Sequence, residues 1–538
     1  MEDQSLKSGR KGRLSNDLVT GLRLVAGLPA YLRHPLSVSE SRAILRRRLE
    51  RRSDDFLDLA KRAVFGNRES PYLSLLDEAG CEYGDLERMV RRDGLEASLL
   101  TLYRSGVYLT SDESKGRLPV LRGRASVAVD PSRLRNPILC PQYLGTTSGS
   151  RGQATTIPLD LACIRDRAVN MLLALDTRGG AGWRNAVWAI PAVAPILWYS
   201  VCGGPAAKWF WPIDPKTSGL HPRYRWSARA ITWTGRLAGV PMPAPECVPP
   251  DAPLPIARWM ERTLHEGQVP HLWTFPSSAA RLCLAAEDAG IDLAGAQFTV
   301  TGEPVTDARL SAIRRVGAGV APDYGSADSG GSAACGCLAP ESPDDVHVFS
   351  DLNALIQADA GPFPAGSLLL TSIRPTAPFI FLNVSMGDRA VVSDRRCGCP
   401  VEALGWTRHL RDIRSFEKLT AGGVTFADRD VVRILEEILP RRFGGGPADF
   451  QLVEDEAGDG HPRLLILARP SVPAFEPDDV IDVFLRALGA DSETGRVMAL
   501  QVREAGFLRV ERRAPLAAAS GKVLHVWSRS AAPPGGSA

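Results

Sequence analysis

The chain lacks the features that mark several specialised classes of protein. Its 64 basic side chains are nearly balanced by 61 acidic ones, for a net charge of +3, so no bulk field requires a nucleic acid or an anionic membrane as partner. With 44% hydrophobic and 23% charged residues, the composition excludes a disordered, collagen-like or coiled-coil protein. At 538 residues the chain exceeds the size of one hydrophobic core, which predicts at least two domains.

Long uninterrupted apolar runs are also missing. The most membrane-like run covers residues 187–204, but Pro191 and Pro195 interrupt it, which favours a buried strand and loop without a membrane span. The N-terminus Met-Glu-Asp-Gln-Ser contains no apolar run, so we expect no secretory signal and a cytoplasmic protein.

Lysine is scarce, because only eight of the 64 basic residues are lysines. The ten cysteines do not form an evenly spaced disulfide framework, and four of them make the two Cys-Gly-Cys triplets 335–337 and 397–399. In a long chain this usage indicates reduced thiols and a metal site.

Changes in sequence texture divide the chain into four predicted segments. Residues 1–105 are a loose tail followed by helices, 106–411 a large lobe, 412–530 a smaller lobe and 531–538 a disordered tail. In the large lobe, helices are predicted over 159–175, 277–289 and 306–316 and strands over 186–192 and 297–300. In the smaller lobe, helices are predicted over 429–439 and 478–488 and strands over 450–454, 464–468 and from 502 onward. The alternation predicts an α/β fold, with mostly parallel sheets and flanking helices in a large N-terminal lobe and a small mobile α+β C-terminal lobe.

An arginine-rich stretch over residues 42–52 has two interpretations. It is either a basic patch for nucleic acid or a solvated helix face with extended arginines. We favour the solvated face and expect no nucleic-acid partner, because no aromatic residue or second basic cluster accompanies the stretch.

A loop rich in glycine and hydroxyl side chains runs from Tyr143 to Gly152, before a predicted helix. Its glycines allow close backbone approach and its hydroxyls donate hydrogen bonds, which suits phosphate oxygens. No Gly-Lys-Ser/Thr follows, so the loop is not of the Walker type. Taken alone, a loop of this composition is more often a plain surface loop than a phosphate site.

Four further motifs follow this loop. They are Thr-Gly-Glu-Pro at 301–304, Asp-Tyr-Gly-Ser-Ala-Asp at 323–328, Met-Gly-Asp at 386–388 and Ser-Gly-Lys at 520–522. In this order and at these separations, the set resembles the AMP-forming adenylating superfamily of acyl-CoA synthetases, adenylation domains and luciferases. Residues 414–426 are similar to phenylacetate–CoA ligase-like proteins, and 106–122 to the acyl-protein synthetases of bacterial bioluminescence. The resemblance covers most of residues 100–530.

The resemblance implies ATP and Mg²⁺ as cofactors and gives roles to individual residues. Lys522 would be the adenylation lysine, and Asp328 would bind Mg²⁺ in place of the family's usual glutamate. The phosphates would be bound by Thr146, Thr147, Ser148, Gly149, Ser150 and Gly152. The adenine slot would contain Gly302, Glu303, Pro304 and Tyr324, with Asp323, Gly325 and Ser326 beside the tyrosine. Asp388 would accept the ribose hydroxyls, with Arg414 behind it.

Three functions are compatible with these residues. The favoured one is activation of a carboxylic acid as an acyl adenylate and transfer to a thiol, either CoA or a carrier-protein phosphopantetheine. The others are an amide synthetase with an amine acceptor, and a nonenzymatic zinc-stabilised relative in which Ala327 and Asp328 are signs of decay. The acid is not identified, because the aromatic candidates line either a pocket or the core: Trp198, Tyr199, Trp209, Phe210, Trp211, Trp273 and Phe275. His271 either gates that pocket or is structural.

The sequence also predicts a second site, which would bind a metal ion. Cys337, His347, Cys397 and Cys399 make a Cys₃His set, which suits tetrahedral Zn²⁺ and leaves no open position for catalysis. Cys335 is a fifth candidate that could replace Cys337. Phenylacetate–CoA ligase-like proteins carry cysteines and a histidine at similar places, which supports structural zinc. The alternative is a group of reduced buried cysteines with a surface histidine.

Overall fold

The structure is a computed structural model of the chain. It describes residues 19–146, 156–189, 193–214, 222–250, 252–303, 305–359, 361–415, 418–421, 424–427, 431, 433–446, 449–456, 462–490, 493–506, 508–516 and 526–528. The predicted tails therefore lie largely outside the described residues.

Sixteen helices can be bounded within the described residues. They are α1 (19–33), α2 (Val38–Glu50), α3 (Arg52–Leu59), α4 (Leu73–Glu78), α5 (Tyr83–Asp93), α6 (Leu95–Arg104), α7 (Ser111–Ser114), α8 (Leu161–Asp176), α9 (Val193–Ser200), α10 (Pro222–Leu237), α11 (Leu254–His265), α12 (Pro276–Asp288), α13 (Asp307–Arg315), α14 (Leu439–Phe443), α15 (Pro477–Ala490) and α16 (Glu493–Ala505). Ala60–Phe65 and Ile434–Ile438 are π-helical, and Pro131–Leu134 and Glu402–Leu404 form single 3₁₀ turns.

Twelve strands form one large sheet. In chain order they are β5 (Arg184–Trp188), β6 (Lys208–Trp211), β7 (Pro245–Cys247), β8 (Pro270–Thr274), β9 (Gln297–Val300), β10 (Gly319–Ser326), β11 (Gly331–Gly336), β12 (Val346–Val348), β13 (Asn353–Gln357), β14 (Ser367–Ser372), β15 (Val384–Asp394) and β16 (Arg408–Ser415). Two small hairpins precede them, β1 (Val120–Arg122) with β2 (Ala125–Val127) and β3 (Tyr143–Thr146) with β4 (Thr156–Leu159).

The large sheet has a parallel half and an antiparallel half. Its spatial order is β13-β14-β15-β16-β12-β11-β10-β9-β8-β5-β6-β7. Pairings from β7 to β10 are parallel, whereas those from β10 to β13 are antiparallel. Helices flank the parallel half, as crossover connections require. The predicted α/β class is confirmed, and its parallel pairing describes one half of a mixed sheet.

Local sequence explains where the helices nearest the predicted site begin. Asp160 precedes α8, and its carboxylate accepts a hydrogen bond from the backbone N–H of Cys163 at 2.6 Å, which satisfies one of the free donors of the first turn. Proline occupies the first position of α12, where its missing N–H costs no hydrogen bond.

The C-terminal part of the chain has its own sheet and core. Strands β19 (Phe450–Glu456), β20 (Pro462–Ala468), β21 (Leu508–Arg512) and β22 (Val526–Ser528) are ordered β21-β20-β19-β22. A separate hairpin joins β17 (Lys418–Ala421) to β18 (Val424–Ala427). Phe450, Ile466 and Phe484 belong to a core of residues drawn from this part alone. The exact domain boundaries stay a prediction.

Two sequence expectations about local structure were wrong. Residues 187–204 were expected to be strand and loop, but Val193–Ser200 is helical. Pro195 is tolerated there because it lies in the first turn, where no intrahelical N–H is needed. Residues from 502 onward were expected to form strands, but helix α16 continues to Ala505 before β21 begins at Leu508.

Helix α2 is held to the large lobe by buried charge. Arg48 is 5% exposed and pairs with Asp166 and with Asp351, which is fully buried. Asp351 also accepts hydrogen bonds from Asn170 at 2.8 Å and from the indole of Trp406 at 3.1 Å. The arginine-rich stretch thus contributes a structural anchor as well as a solvated face.

Within the described residues, every helix is too short or too polar to cross a bilayer.

We expect Asp351→Ala to lower the free energy of unfolding by about 3–5 kcal/mol, because it leaves the Arg48 charge buried without one of its carboxylates. Urea unfolding followed by circular dichroism measures this. Asp93→Ala is the control, since the Arg92–Asp93 pair is exposed and such pairs contribute little to stability. Equal effects of the two substitutions would contradict the anchoring role of Asp351.

Candidate functional site

Two of the predicted nucleotide motifs lie at one edge of the large sheet. Residues 301–303 follow β9, and residues 323–326 end β10. Because β9 and β10 are adjacent and parallel, their carboxyl ends meet at the same edge, which is where α/β sheets usually bind ligands. Pro304 lies outside the described residues.

The 301–303 turn is fixed by its own side chains. Gly302 has φ of +81°, a conformation that favours glycine, and a Cβ there would lie 3.1 Å from the ring of Phe275. The Glu303 carboxylate is buried and accepts hydrogen bonds from the backbone N–H of Ser277 at 3.0 Å and from its hydroxyl at 2.9 Å. Glu303 therefore ties the predicted adenine slot to the N-terminus of α12.

Tyr324 and Asp388 are brought together although 64 residues separate them. The Tyr324 hydroxyl donates a hydrogen bond to Oδ2 of Asp388 at 3.0 Å. Burial raises the pKa of Tyr324 well above its usual value, and the nearby Asp388 carboxylate adds to the effect. The phenol therefore keeps its proton and acts as the donor. Two motifs predicted to bind adenine and ribose thus share one contact.

The strand carrying Tyr324 is irregular at this point. The register of β10 against β11 shifts between Tyr324 and Gly325. A Cβ at Gly325 would lie only 2.3 Å from the carbonyl oxygen of Gly331, so only glycine fits there. Such bulges commonly re-aim a neighbouring side chain beside a functional site, here Tyr324.

Asp323 is a buried carboxyl group beside this irregularity. It is 6% exposed, and the Ser332 hydroxyl donates a hydrogen bond to it. Burial raises the pKa of Asp323 to about 7, since the low-dielectric interior disfavours the charged form. Sequence reasoning missed Ser332, because its place opposite Gly325 follows from the shifted register.

Arg414 lies near Asp388 but binds elsewhere. Strand β16 pairs Ser415 with Asp388 and Arg414 with Arg389, and successive side chains alternate between the two faces of a strand. The guanidinium of Arg414 pairs with Asp344 at 2.9 Å. The role of Arg414 behind the ribose stays a prediction, and Asp344 is a partner that sequence reasoning missed.

The remaining nucleotide candidates are only partly described. Ser326 accepts a hydrogen bond from the N–H of Ser329 at 3.2 Å, and Asp328 is half-buried in the following turn. Thr146 ends β3, opposite Thr156 of β4. Thr147, Ser148, Gly149, Ser150, Gly152 and Lys522 lie outside the described residues.

Buried Arg167 packs beside this turn and was missed by sequence reasoning. It is 4% exposed, donates a hydrogen bond to the carbonyl of Ser329, and leaves Nη1 without a partner. Burial lowers the pKa of Arg167. An arginine in the middle of an apolar helix was the available signal.

The four predicted metal ligands meet at one point. One ligand atom from each of Cys337, His347, Cys397 and Cys399 lies within 4.8 Å of all the others. Nε2 of His347 is 3.3 Å from Sγ of Cys399 and 3.6 Å from Sγ of Cys397. Cys337 and not Cys335 belongs to this group. The ligands come from the end of β11, from β12 and from the loop between β15 and β16.

The ring of His347 is held in the tautomer that can bind a metal ion. Its Nδ1 lies 2.6 Å from the carbonyl oxygen of Trp406, a contact that requires the proton on Nδ1 and leaves Nε2 free. Burial and the neighbouring His409 lower the pKa of His347 to about 4, so the ring is neutral. Ligating histidines commonly donate their other N–H in this way. The donor set therefore fits Zn²⁺.

A polar network surrounds the thiol of Cys337. The Arg395 guanidinium lies 3.6 Å from this sulfur, and the N–H of Ala339 donates to it at 3.3 Å. Arg395 also pairs with Asp345, whose other oxygen lies 2.8 Å from Nδ1 of His409. Three thiolates exceed the charge of one divalent ion, so the arginine offsets the surplus negative charge. Sequence reasoning missed this network, for which the acidic pair before His347 was the only signal.

Most aromatic pocket candidates are core residues. Tyr199, Trp209, Phe210 and Trp211 are at most 2% exposed, whereas Trp273 and Phe275 are only partly buried. Fully buried His271 lies 2.9 Å from Asn185 and 2.8 Å from Thr299 through its two ring nitrogens. The structural reading of His271 is therefore correct, and the gating idea is wrong.

No protein-family model matches the chain, and no curated protein is detectably similar to it. The structure is similar to o-succinylbenzoate CoA synthetase from Bacillus subtilis, at 13% identity and a TM-score of 0.40 over 72% of this chain and 68% of that one. It is similar to an amide bond synthetase from Marinactinospora thermotolerans, at 13% identity and a TM-score of 0.40 over 85% and 92%. It is also similar to an adenylation domain from Vibrio cholerae, at 12% identity and a TM-score of 0.39 over 71% and 64%.

Asp323 generates a prediction about pH. Its carboxyl pKa is about 7 in the folded chain against about 3.9 when unfolded. The folded state therefore binds this proton more tightly than the unfolded state does. The protonated Asp323 carboxyl contributes fully to stability below about pH 4, and this contribution is lost as pH rises to about 7. We expect the stability of the wild type, relative to Asp323→Asn, to fall over this range by about 1.4 kcal/mol per pH unit. Urea unfolding at several pH values measures the difference, and parallel curves would contradict the buried carboxyl.

The metal centre gives a second prediction, which concerns zinc binding. We expect the purified wild type to contain zinc, Cys397→Ser to lose it, and Arg395→Met to weaken zinc affinity by about 10–100-fold, as loss of a supporting contact typically does. Elemental analysis and competition with a chromogenic chelator give the readouts.

Two matched variants control this experiment. Cys283→Ser removes a buried cysteine from a different core cluster, and Arg396→Met removes the exposed neighbour of Arg395. Both should retain normal zinc binding. A zinc-free wild type would refute the centre itself, whereas equal affinities for Arg395→Met and Arg396→Met would refute only the role of Arg395.

Proposed function

We propose that the chain is an ATP-dependent, AMP-forming ligase that activates a carboxylic acid as its acyl adenylate and transfers the acyl group to a thiol. The observation that carries this proposal is the Tyr324–Asp388 hydrogen bond of 3.0 Å. It unites two motifs that resemble the adenine and ribose elements of one superfamily, beside the edge where the carboxyl ends of β9 and β10 meet. A phenylacetate–CoA ligase-like subtype is the finer form of the proposal, supported by residues 414–426 and the Cys₃His set.

The described residues would hold the nucleoside of ATP. The Tyr324 ring would pack on adenine beside the 301–303 turn. Asp388 would accept the ribose hydroxyls, because an ionised carboxylate is a strong acceptor for two donors. The hydroxyl of Tyr324 would orient this carboxylate, and Glu303 would keep the turn in place through Ser277. Positioning of this kind supplies much of the catalysis in phosphoryl transfer.

The phosphates would be bound by the loop from Thr146 to Gly152. Asp328 would hold Mg²⁺, and its half-buried position in the turn after β10 suits a carboxylate ligand for a hard cation. When bound, the ion would neutralise phosphate charge. Asp328 is one methylene shorter than the glutamate usual in the superfamily, so it would reach the metal less far.

The chemistry follows from the substrates. A carboxylate oxygen attacks the α-phosphorus of ATP, and the bond to pyrophosphate breaks. The thiol sulfur of CoA or of a carrier-protein phosphopantetheine then attacks the acyl carbonyl, and AMP leaves. Lys522 would place its ammonium between the carboxylate and the α-phosphate, where it offsets the negative charge that repels the two reactants.

Zinc would serve structure and not chemistry in this proposal. A Cys₃His set fills all four tetrahedral positions, so no site remains for water or substrate. The ligands join β11, which pairs with the strand of Tyr324, to the loop that connects β15 and β16. The metal would thus stabilise the strands that carry Tyr324 and Asp388.

Pyrophosphate–ATP exchange over a panel of aromatic, aliphatic and amino acids tests the proposal. We expect acid-dependent exchange with the wild type and a loss of about 10²–10³-fold in Lys522→Ala, as for removal of one transition-state contact. Lys61→Ala is the matched control, because Lys61 lies on the exposed side of the N-terminal helical region and is outside the proposed site.

Each outcome separates the proposed ligase from one of its alternatives or tests the role of one residue. Absence of exchange with every acid, alongside normal ATP binding, would favour the nonenzymatic alternative. Normal exchange by Lys522→Ala would remove the role of that lysine. Once an acid is found, product analysis with thiols and amines decides between the thiol ligase and the amide synthetase.

A further inference from the structure

Exposed large hydrophobic side chains are concentrated on two helices. Of the ten such side chains among the described residues, six lie on α1 and α10. They are Val19, Leu22 and Val25 of α1 and Trp226, Trp233 and Leu237 of α10. Scattered single residues of this kind are ordinary, but concentrations mark interaction surfaces.

Helix α10 presents its tryptophans on one face. Trp226, Trp233 and Leu237 are 67%, 68% and 68% exposed, and spacings of seven and four residues place them in one row. Exposed Arg229 and Arg236 lie three residues after each tryptophan and share this face. The guanidinium of Arg229 is 5.9 Å from the ring centre of Trp226. The opposite face, including Ile231, is buried in the core.

Helix α1 lies against the end of α10. Nε of Arg33 donates a hydrogen bond to the carbonyl oxygen of Ala238 at 3.0 Å, so the C-terminal ends of the two helices meet. Leu24 and Leu28 of α1 are buried in the same core cluster as α10. Leu22 is 62% exposed and lies beside exposed Arg23.

The charge on these helices has one sign. In their described residues α1 carries Arg23 and Arg33, α10 carries Arg223, Arg225, Arg229 and Arg236, and neither contains an aspartate or glutamate. The whole chain nearly balances its charges, so this is a local excess. A partner surface must therefore be anionic and must also accept apolar side chains.

We propose that α1 and α10 dock the chain on an anionic lipid surface. The exposed face of α10 combines tryptophan and leucine with arginine, which are the residue types of helices that lie in the plane of a bilayer. The indole rings would sit at the boundary between headgroups and acyl chains, and the arginines would extend to the lipid phosphates. An acidic protein surface would meet the arginines, but it would present fewer apolar groups to Leu22 and Val25 than the acyl chains of a bilayer do. The docking is independent of the proposed ligase activity.

Vesicle flotation with the full chain tests this proposal. The probes are vesicles of phosphatidylcholine alone and vesicles in which one quarter of the lipid is phosphatidylglycerol. We expect wild-type protein to float with the anionic vesicles, with binding weakened by salt because the attraction is screened. Trp226→Ser with Trp233→Ser should lower binding by at least about tenfold. Arg229→Glu with Arg236→Glu should lower it by about 30-fold or more.

A matched variant and two outcomes complete the test. Leu118→Ser with Leu121→Ser removes two other exposed leucines, 56% and 64% exposed, and should bind vesicles like the wild type. All variants should melt near the wild-type temperature, since the changed side chains are exposed. Wild-type protein that stays unbound with both vesicles would overturn the proposal. So would a dimer that dissociates in the tryptophan variant without vesicle binding, because the faces would then join two copies of the chain.

Discussion

The two-sided pairing of β10 is the constraint on which the candidate site depends. On one edge this strand runs parallel to β9, and on the other it runs antiparallel to β11. The parallel edge places the 301–303 turn beside Tyr324. The antiparallel edge begins a series of strands that includes β15, which carries Asp388. Two halves of different topology therefore meet at the strand that holds the central tyrosine.

The same series of strands gathers the metal ligands. The end of β11, strand β12 and the loop between β15 and β16 provide the four ligand side chains. Closing this loop with a metal would fix β15 relative to β11 more firmly than short strands alone, since binding energy at such a site is also folding energy. The metal centre and the Tyr324–Asp388 contact are thus two consequences of one strand arrangement.

Sequence reasoning located elements better than it located partners. The strand at 297–300 was correct, and the helix predicted over 159–175 is observed over Leu161–Asp176, because the hydrophobic period is a local property. The Cys₃His set was found because thiols and imidazole carry a strong chemical signal. Ser332 and Asp344 were not found, because their partners Asp323 and Arg414 are chosen by strand register. Register depends on pairing across the sheet, and one shifted residue at the bulge changes every neighbour that follows.

Hydrogen bonds to Asp344 hold the end of β16 to the large lobe, which limits where a predicted mobile small lobe could rotate. Asp344 accepts hydrogen bonds from the N–H groups of Asp412 at 2.9 Å and Ile413 at 2.7 Å, and it pairs with Arg414. Three consecutive residues are therefore fixed to the large lobe just before strand β16 ends at Ser415. The predicted boundary at 412 lies inside this fixed segment, whereas the separate C-terminal core starts at Val431. A rotation about a residue of this segment would break these hydrogen bonds and the ion pair.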